Sequence, residues 1–108
     1  MQDVQKIARL NDVLRQTFLT GRIVMTEGIQ QLPDLTRERV LSQVREYSDF
    51  CDDNNPHGER DFGAFEENGE SYFWKIDYYD SKLEYLSPDP ANPDVTQRVL
   101  TIMRADEY

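Results

Sequence analysis

The chain has 108 residues and a formal net charge of −9 at pH 7, with 21 acidic and 12 basic residues. This length allows one hydrophobic core and excludes two, and 38% hydrophobic residues argue against a disordered chain. The charge is uneven, because residues 1–48 hold six acids and seven bases whereas residues 49–108 hold fifteen acids and five bases. Such an acidic half repels phosphate, so we expect no direct binding to nucleic acid.

Two amphipathic helices are predicted in the amino-terminal half. The first covers residues 4–18, with Asp3 as a candidate N-cap. Its apolar stripe contains Ile7, Leu10, Val13, Leu14 and Phe18. The second covers about 34–49, and either Pro33 or Asp34 begins it. Its apolar face contains Val40, Leu41, Val44 and Tyr47.

Short strands are predicted on either side of the central region. The β-branched segment 22–26 favours a strand, and residues 27–33 are expected to be a connection. Three prolines make 87–94 a loop. Residues 97–104 are predicted to form the last strand, with a helix beginning at Asp94 as the alternative.

Asn68-Gly69, between two alternating segments, is the strongest hairpin signal in the chain. A two-residue turn there places Phe65 opposite Tyr72 and Gly63 opposite Trp74. The missing side chain of Gly63 would leave room for the indole ring.

A second tight turn is predicted at Asp80-Ser81. It would pair Tyr78 with Leu83 and Ile76 with Tyr85. Both turns then agree on one apolar face, consisting of Phe65, Tyr72, Trp74, Ile76, Tyr78, Leu83 and Tyr85. The opposite face would carry Glu66, Ser71, Phe73, Lys75, Asp77, Tyr79, Lys82 and Glu84.

The predicted fold class is α+β, with two helices packed on one face of an antiparallel β-sheet. The predicted order of elements is α-β-α-β-β-β-β, in a single domain spanning residues 1–108. An antiparallel sheet with one apolar face needs one covering layer, and two amphipathic helices supply it.

Three segments also resemble a known family. The chain resembles the small bacterial and phage proteins of domain-of-unknown-function family 3768. The segments that carry this resemblance are DDNNPHGERDFGAFE, YFWKIDYYD and RVLTIMRADEY. The similarity runs from about Ile7 to the last residue. The resemblance implies a small stand-alone domain met near mobile genetic elements, and it implies no activity or catalytic residue.

Cys51 is the only cysteine, so an internal disulfide is excluded and a reducing compartment fits best. No apolar run approaches the length of a membrane span, and the first residues lack the apolar core of a signal peptide. We therefore expect a cytoplasmic protein that does not contact membranes. The sequence predicts no cofactor and leaves the oligomeric state open.

The polar segment 51–61 contains residue types that can bind a metal or act as a nucleophile. A loop starting at Asp53 has Gly58 at the sixth position of a calcium-binding pattern, but Ala64 stands where a bidentate Glu is required. The closely spaced pairs of Cys or His residues that are typical of zinc sites are missing too. A nucleophilic Cys51 paired with His57 would need an orienting third group and a positively charged surrounding, whereas carboxylates surround it. Cys51 is therefore expected to pack as a small apolar residue. The segment is predicted to be a loop built from turn-forming residues, without a metal.

The acidic half predicts a non-enzymatic binding protein that engages a basic protein surface, and the sharpest form of this prediction is a nucleic-acid mimic. Its partner would be a nucleic-acid-handling protein, as for an anti-CRISPR or anti-restriction inhibitor encoded on a mobile element. The predicted partner-binding residues are Asp52, Asp53, Glu59, Asp61, Glu66, Glu67 and Glu70, with Phe73 and Tyr79 as apolar anchors. One alternative is a metal-dependent enzyme or regulator centred on His57, Glu59 and Asp61. Another is a domain whose acidity serves only solubility.

Overall fold

The computed structural model describes residues 3–108, which form an α+β fold as predicted. The helices in this range are α1 (Val4–Thr17), α2 (Glu27–Gln30) and α3 (Asp34–Glu46). The strands are β1 (Arg22–Met25), β2 (Phe62–Glu67), β3 (Glu70–Tyr79) and β4 (Gln97–Arg104). Two short 3-10 turns, Pro93–Val95 and Ala105–Glu107, flank β4. The predicted last strand is confirmed, and the helical alternative for it is wrong.

The four strands form one sheet in the order β1-β4-β3-β2. The pairs β2–β3 and β3–β4 are antiparallel, but β1 runs parallel to β4. The prediction of a wholly antiparallel sheet is therefore wrong at this edge. The parallel pair is held together where both strands end, because the Glu107 carboxylate accepts hydrogen bonds from Thr26 Oγ1 at 2.7 Å and from the Gly28 amide at 2.9 Å.

The hairpin between β2 and β3 is confirmed. Asn68 and Gly69 have φ angles of 56° and 82°, the left-handed conformation that a type I′ turn requires at both central positions. Phe65 pairs with Tyr72 and Gly63 pairs with Trp74. A Cβ atom at Gly63 would collide with the Trp74 indole, so the absence of a side chain there is what allows the ring to lie over β2.

The second predicted turn, at Asp80-Ser81, is wrong, as is the strand that was expected to follow it. The Asp80 carboxylate instead accepts from the amides of Lys82 and Glu84, and Leu83 is left-handed with φ 60°. These hydrogen bonds hold residues 80–84 in a compact turn, so this segment cannot extend into a strand that pairs with β3. The chain beyond it makes one isolated bridge to β3, between Tyr79 and Leu86, and this is not a pair of the predicted ladder.

The strand that actually pairs with the second half of β3 is β4. Ile76 lies opposite Leu100 and Tyr78 lies opposite Arg98. The order of elements is therefore α-β-α-α-β-β-β rather than α-β-α-β-β-β-β. Leu83 and Tyr85 do not lie on the apolar face, Lys82 and Glu84 do not lie on the opposite face, and Tyr85 is 74% exposed.

The helices differ from their predictions in detail. Part of the expected connection, residues 27–30, is the short helix α2. Pro33 is the N-cap of α3 and Asp34 is its first residue. Asp3 occupies the N-cap position of α1, but its side chain makes no capping bond. Val13 does not widen the buried stripe and is 44% exposed.

All three helices of the described range pack on the same face of the sheet, which we call the covered face. The core there consists of Leu14, Ile29, Val40, Val44, Tyr72, Trp74, Ile76, Leu100 and Ile102. Arg15 is buried among them and joins α1 to the end of α3, since its Nη1 donates to the carbonyls of Val44 at 3.0 Å and Tyr47 at 2.9 Å. Its guanidinium lies 5.2 Å from the Trp74 ring, which makes a buried cation–π contact.

The other face of the sheet, which we call the open face, is formed by the residues that alternate with the core. Its members are Arg22, Val24, Phe62, Ala64, Glu66, Ser71, Phe73, Lys75, Asp77, Tyr79, Gln97, Val99, Thr101 and Met103. Most are only half-buried, because the helices lie on the opposite side. At one end of this face the Tyr108 ring lies 5.4 Å from Phe73 and 6.3 Å from Phe62, measured between ring centroids.

Candidate functional site

The acidic residues are concentrated at one end of the sheet. Residues 49–61 lead into β2, and residues 80–96 connect β3 to β4. Because β3 is antiparallel to both neighbours, the two loops lie at the same end, which we call the acidic end. Its loops carry nine acids and two bases, a net charge of −7 out of the −9 of the whole chain.

Several carboxylates at the acidic end point into solvent. Asp52, Asp53, Glu84 and Asp94 are exposed. Within residues 3–108 their carboxylates make no hydrogen bond or ion pair. Unpaired surface charges give the strongest local field and have no internal partner to lose when another molecule binds. They therefore provide a surface suited to a basic partner.

The 51–61 loop is attached to the rest of the protein by a polar network around Asn11. The Asn11 Nδ2 atom donates to the Tyr78 hydroxyl at 2.8 Å and to the Glu59 carbonyl at 3.0 Å. Arg98 Nε donates to Asn11 Oδ1 at 2.7 Å. The Tyr78 hydroxyl in turn donates to the Glu59 carboxylate at 2.7 Å. Glu59, predicted to bind a partner, therefore anchors the loop to the sheet.

Tyr78 stays protonated in this network. Burial raises its pKa, and the hydrogen bond to Glu59 raises it further. The neutral hydroxyl can then donate to the carboxylate while it accepts from Asn11. The arrangement is suited to holding the loop in place rather than to proton transfer, because proton transfer near neutral pH requires a pKa close to 7.

Asn11 and Arg98 were not found from the sequence. Both are buried, at 0% and 5% exposure. Asn11 falls on the apolar stripe of α1, and Arg98 lies on the covered side of β4, so each is a polar residue at an inward-facing position. A buried polar group requires a hydrogen-bond partner, so this pattern in the sequence could have indicated a polar network.

The residues of the metal-dependent alternative interact through the charge on Asp61. Burial raises the pKa of Asp61, the Glu59 charge raises it further, and His57 lowers it. Within residues 3–108, however, no three His, Cys, Asp or Glu side chains are grouped as a metal would need. No observation therefore favours the metal-dependent alternative, which stays a prediction.

The loop interpretation of 51–61 agrees with its hydrogen bonds. Asn54 Oδ1 accepts from the Cys51 amide at 2.9 Å, and Asn55 Oδ1 accepts from the Arg60 amide at 2.8 Å. These side-chain oxygens accept from backbone amides three residues before and five residues after them, so they stabilise the irregular backbone of the loop. The expectation that Cys51 packs as an apolar residue is wrong, because the thiol is exposed once α3 ends at Glu46.

The remaining predicted acids lie at the other end of the sheet. Glu66, Glu67 and Glu70 flank the β2–β3 turn. Glu67 Oε1 accepts from Gln43 Nε2 at 2.7 Å, and Glu70 Oε1 lies 2.6 Å from Arg104 Nη2. At about 3.3 Å per residue, β3 separates this end from the acidic end by roughly 30 Å.

The two predicted aromatic anchors belong to neither end. Phe73 and Tyr79 both lie on the open face, where Phe73 is partly covered by Tyr108. They are six residues apart along β3, which corresponds to roughly 20 Å. The predicted partner-binding residues therefore form three separate groups, and only Asp52, Asp53, Glu59 and Asp61 share the acidic end.

Comparison with known proteins identifies the family. A family model described as "Protein of unknown function (DUF3768)" matches residues 25–107, so the chain belongs to this family. The match begins at Met25, later than the expected Ile7, and leaves α1 outside it. No curated protein and no solved structure matches the chain. Among the residues that the structure describes, no helix is long and apolar enough to cross a membrane.

Proposed function

We propose that this protein is a non-enzymatic binding protein whose acidic end engages a basic surface on another protein. The observation that supports this proposal is the concentration of charge, with nine acids and two bases in the loops 49–61 and 80–96. Coulomb attraction between such a surface and a basic partner accelerates association and makes it sensitive to salt.

The finer form of the proposal is a nucleic-acid mimic. A surface with closely spaced carboxylates presents negative charge as a phosphate backbone does, so it fits the basic channel of a nucleic-acid-handling protein. Binding there would inhibit the partner, as an anti-CRISPR or anti-restriction protein does. We place this activity in the cytoplasm, where the exposed Cys51 thiol stays reduced.

The surroundings of the predicted acids support different roles for them within this proposal. Asp52 and Asp53 supply exposed charge, and Glu84 and Asp94 add to it from the second loop. Glu59 holds the first loop in place through Tyr78. The hairpin acids Glu66, Glu67 and Glu70 contribute less, because two of the three are already engaged within the protein.

A matched pair of variants tests this assignment. The acidic-end variant D52N/D53N/E84Q and the hairpin variant E66Q/E67Q/E70Q each remove three charges. Tagged protein is used to capture partners from a lysate of the source cells at about 50 mM and about 500 mM NaCl, which span weak and strong screening. The captured protein is then purified and its DNA binding is measured by mobility shift with each variant as competitor.

The proposal expects a DNA-binding protein that is captured at low salt, is released at high salt and is displaced from DNA by the wild type. The acidic-end variant should lose at least about tenfold in affinity, the size of one strong charge pair, and the hairpin variant much less. Equal loss in both variants would assign the effect to net charge alone. Unchanged capture by the acidic-end variant, or no capture at low salt, would refute the proposal.

A further inference from the structure

Two large apolar side chains lie exposed next to each other at the acidic end. Tyr85 is 74% exposed and Leu86 is 77% exposed, and we call these two residues the exposed pair. Within residues 3–108 they are the only consecutive positions among the exposed large hydrophobic residues. Single exposed apolar residues are normal on a protein surface, whereas adjacent ones are typical of a surface that another protein covers.

The backbone of the exposed pair is fixed to the end of β3. The Asp80 amide donates to the Tyr85 carbonyl at 2.8 Å, and the Ser87 amide donates to the Tyr78 carbonyl at 3.1 Å. These two bonds enclose the isolated bridge that this segment makes to β3. The two side chains therefore extend from an ordered support, which lowers the entropy cost of binding through them.

The rest of the second loop is held in place by its own hydrogen bonds. Ser87 Oγ lies 2.6 Å from Thr96 Oγ1, which donates to the Asp89 carbonyl at 2.8 Å. Arg98 donates to the Pro90 carbonyl and so joins this loop to the polar network that holds the first loop. A partner would therefore meet a surface that is already formed.

The exposed pair lies close to the first acidic loop. Alternate residues of a strand direct their N–H and C=O groups towards the same neighbour, so Ile76 and Tyr78 both bond on the β2 side of β3. Ile76 donates to the Asp61 carbonyl at 2.8 Å, and Tyr78 accepts from Ser87. These two attachments are two residues apart along β3, which is roughly 7 Å. The apolar pair thus belongs to the same surface as the acids of both loops.

We propose that Tyr85 and Leu86 are the apolar anchors of the acidic end, and that its partner offers an apolar pocket bordered by Lys and Arg residues. The nine acids and two bases of the surrounding loops select a basic partner. Charge mainly accelerates association, whereas a few buried aromatic and aliphatic anchors supply most of the affinity of a typical interface. The Tyr85 ring also provides a face on which an Arg of the partner can stack. This inference rests on the proposed function, since it names the apolar part of the same binding surface.

The exposed pair fits this role better than the anchors predicted from the sequence. Phe73 lies roughly 20 Å from the acidic end of β3 and is partly covered by Tyr108. Tyr79 is half-buried at the acidic end and lies opposite Leu86 in the isolated bridge. Opposite residues of an antiparallel pair share a face, so Tyr79 extends the apolar surface that the exposed pair begins.

Two synthetic peptides test the inference with partners of defined chemistry. Both have the same length and the same number of lysines. The other residues are glycine and serine in the polar peptide, and several of them are leucine or tryptophan in the apolar peptide. Binding of each labelled peptide is measured by fluorescence anisotropy at about 50 mM NaCl, where charge attraction is weakly screened.

The wild type should bind the apolar peptide at least about tenfold more tightly than the polar peptide, because burial of the anchors adds to the charge attraction. Y85S/L86S should lose this preference and keep its affinity for the polar peptide. D52N/D53N/E84Q should instead lose affinity for both peptides alike, because it removes charge. The conservative variant Y85F/L86M should keep the preference, because both of its side chains stay large and apolar.

L35S is the matched control. Leu35 is 64% exposed and lines the same surface groove as Glu67, beside the β2–β3 turn, so L35S should keep the preference. Circular dichroism and a thermal melt verify that each variant is folded. If the double variant is unfolded, the single variants Y85S and L86S are used, and each should lose part of the preference.

The outcomes separate this inference from the proposed function. Equal affinity of the wild type for the two peptides, a preference that persists without the exposed pair, or an equal loss in L35S would overturn the inference and leave the proposed function standing. Failure of the wild type to bind either peptide would refute the proposed function, and this inference with it.

Discussion

The two faces of the sheet use the same strand differently. On the covered face of β3, Tyr72, Trp74 and Ile76 are buried under the helices. On the open face of the same strand, Lys75 and Asp77 remain more than one-third exposed. Alternation of side chains thus gives one strand both a residue set that stabilises the fold and a set available for recognition. Substitutions on the two faces should have different consequences.

The largest difference is expected between the neighbours Trp74 and Phe73. Trp74→Ala removes a fully buried indole with its Arg15 contact and should lower the free energy of unfolding by about 3–5 kcal/mol. Phe73→Ala, on the half-buried open face, should cost about 1–2 kcal/mol. Urea denaturation of both variants at one pH measures the difference. Equal losses would contradict the distinction between the faces.

Gly63→Ala probes the contact between β2 and the indole. A Cβ atom there would collide with Trp74 and lie 2.8 Å from the Tyr47 ring, so we expect a loss of about 1–3 kcal/mol from overpacking. In a Trp74→Phe background the smaller ring should relieve most of this loss, which a double-mutant cycle detects. Ala64→Gly is the control. It changes β2 at the next position, on the open face, and so measures the effect of a substitution in this strand that does not meet the indole. Additive losses in the cycle would show that the indole is not the obstacle.

Asn11→Ala should have an intermediate effect, because it acts on the polar end of the covered face. The substitution leaves Arg98 Nε buried without its 2.7 Å partner and frees the Glu59 carbonyl, at an expected cost of about 1–3 kcal/mol. Tyr78→Phe removes only a hydroxyl and should cost about 1 kcal/mol. Hydrogen exchange should also show faster opening of residues 51–61 in Asn11→Ala. Unchanged exchange there would mean that the network does not hold the loop.

The smallest effect is expected at Asp61, and its sign depends on pH. Burial raises the pKa of Asp61 above its ordinary value of 3.8, so the folded protein binds a proton more tightly than the unfolded chain. Stability from this group is therefore present below pH 3.8 and is lost as the pH rises through the higher folded pKa. Asp61→Asn should raise the melting temperature slightly at pH 7, with the difference shrinking towards pH 3. A lower melting temperature of the variant at pH 7 would contradict this sign.

Local patterns accounted for much of the fold. The Asn68-Gly69 turn and the two pairs beside it were predictable, because positive φ angles at both turn residues determine the register of a two-residue hairpin. The helical spacing of α1 and α3 predicted most of the covering layer. Strand β4 was predicted too, although its neighbours in the sheet were not.

The candidate site was harder to predict, because its parts are distant in sequence. Asp80 and Ser81 resemble a hairpin turn, yet the Asp80 carboxylate binds nearby amides and the strand that pairs with β3 comes from beyond three prolines. Asn11 and Arg98 are 87 residues apart, and no local pattern shows that they meet. The division of the acids between the two ends of the sheet likewise follows from the pairing of β3 with β4.

The sequence by itself determined the α+β class, the hairpin, the helix spacing and the strongly acidic carboxyl half. Each of these depends on residues within a few positions of one another or on composition. Tertiary structure alone decided the strand order, the parallel edge and which loops meet at the acidic end, because these depend on long-range pairing. It also decided that Lys75 and Asp77 stay on an open face, since that requires all three helices of the described range to lie on the other side.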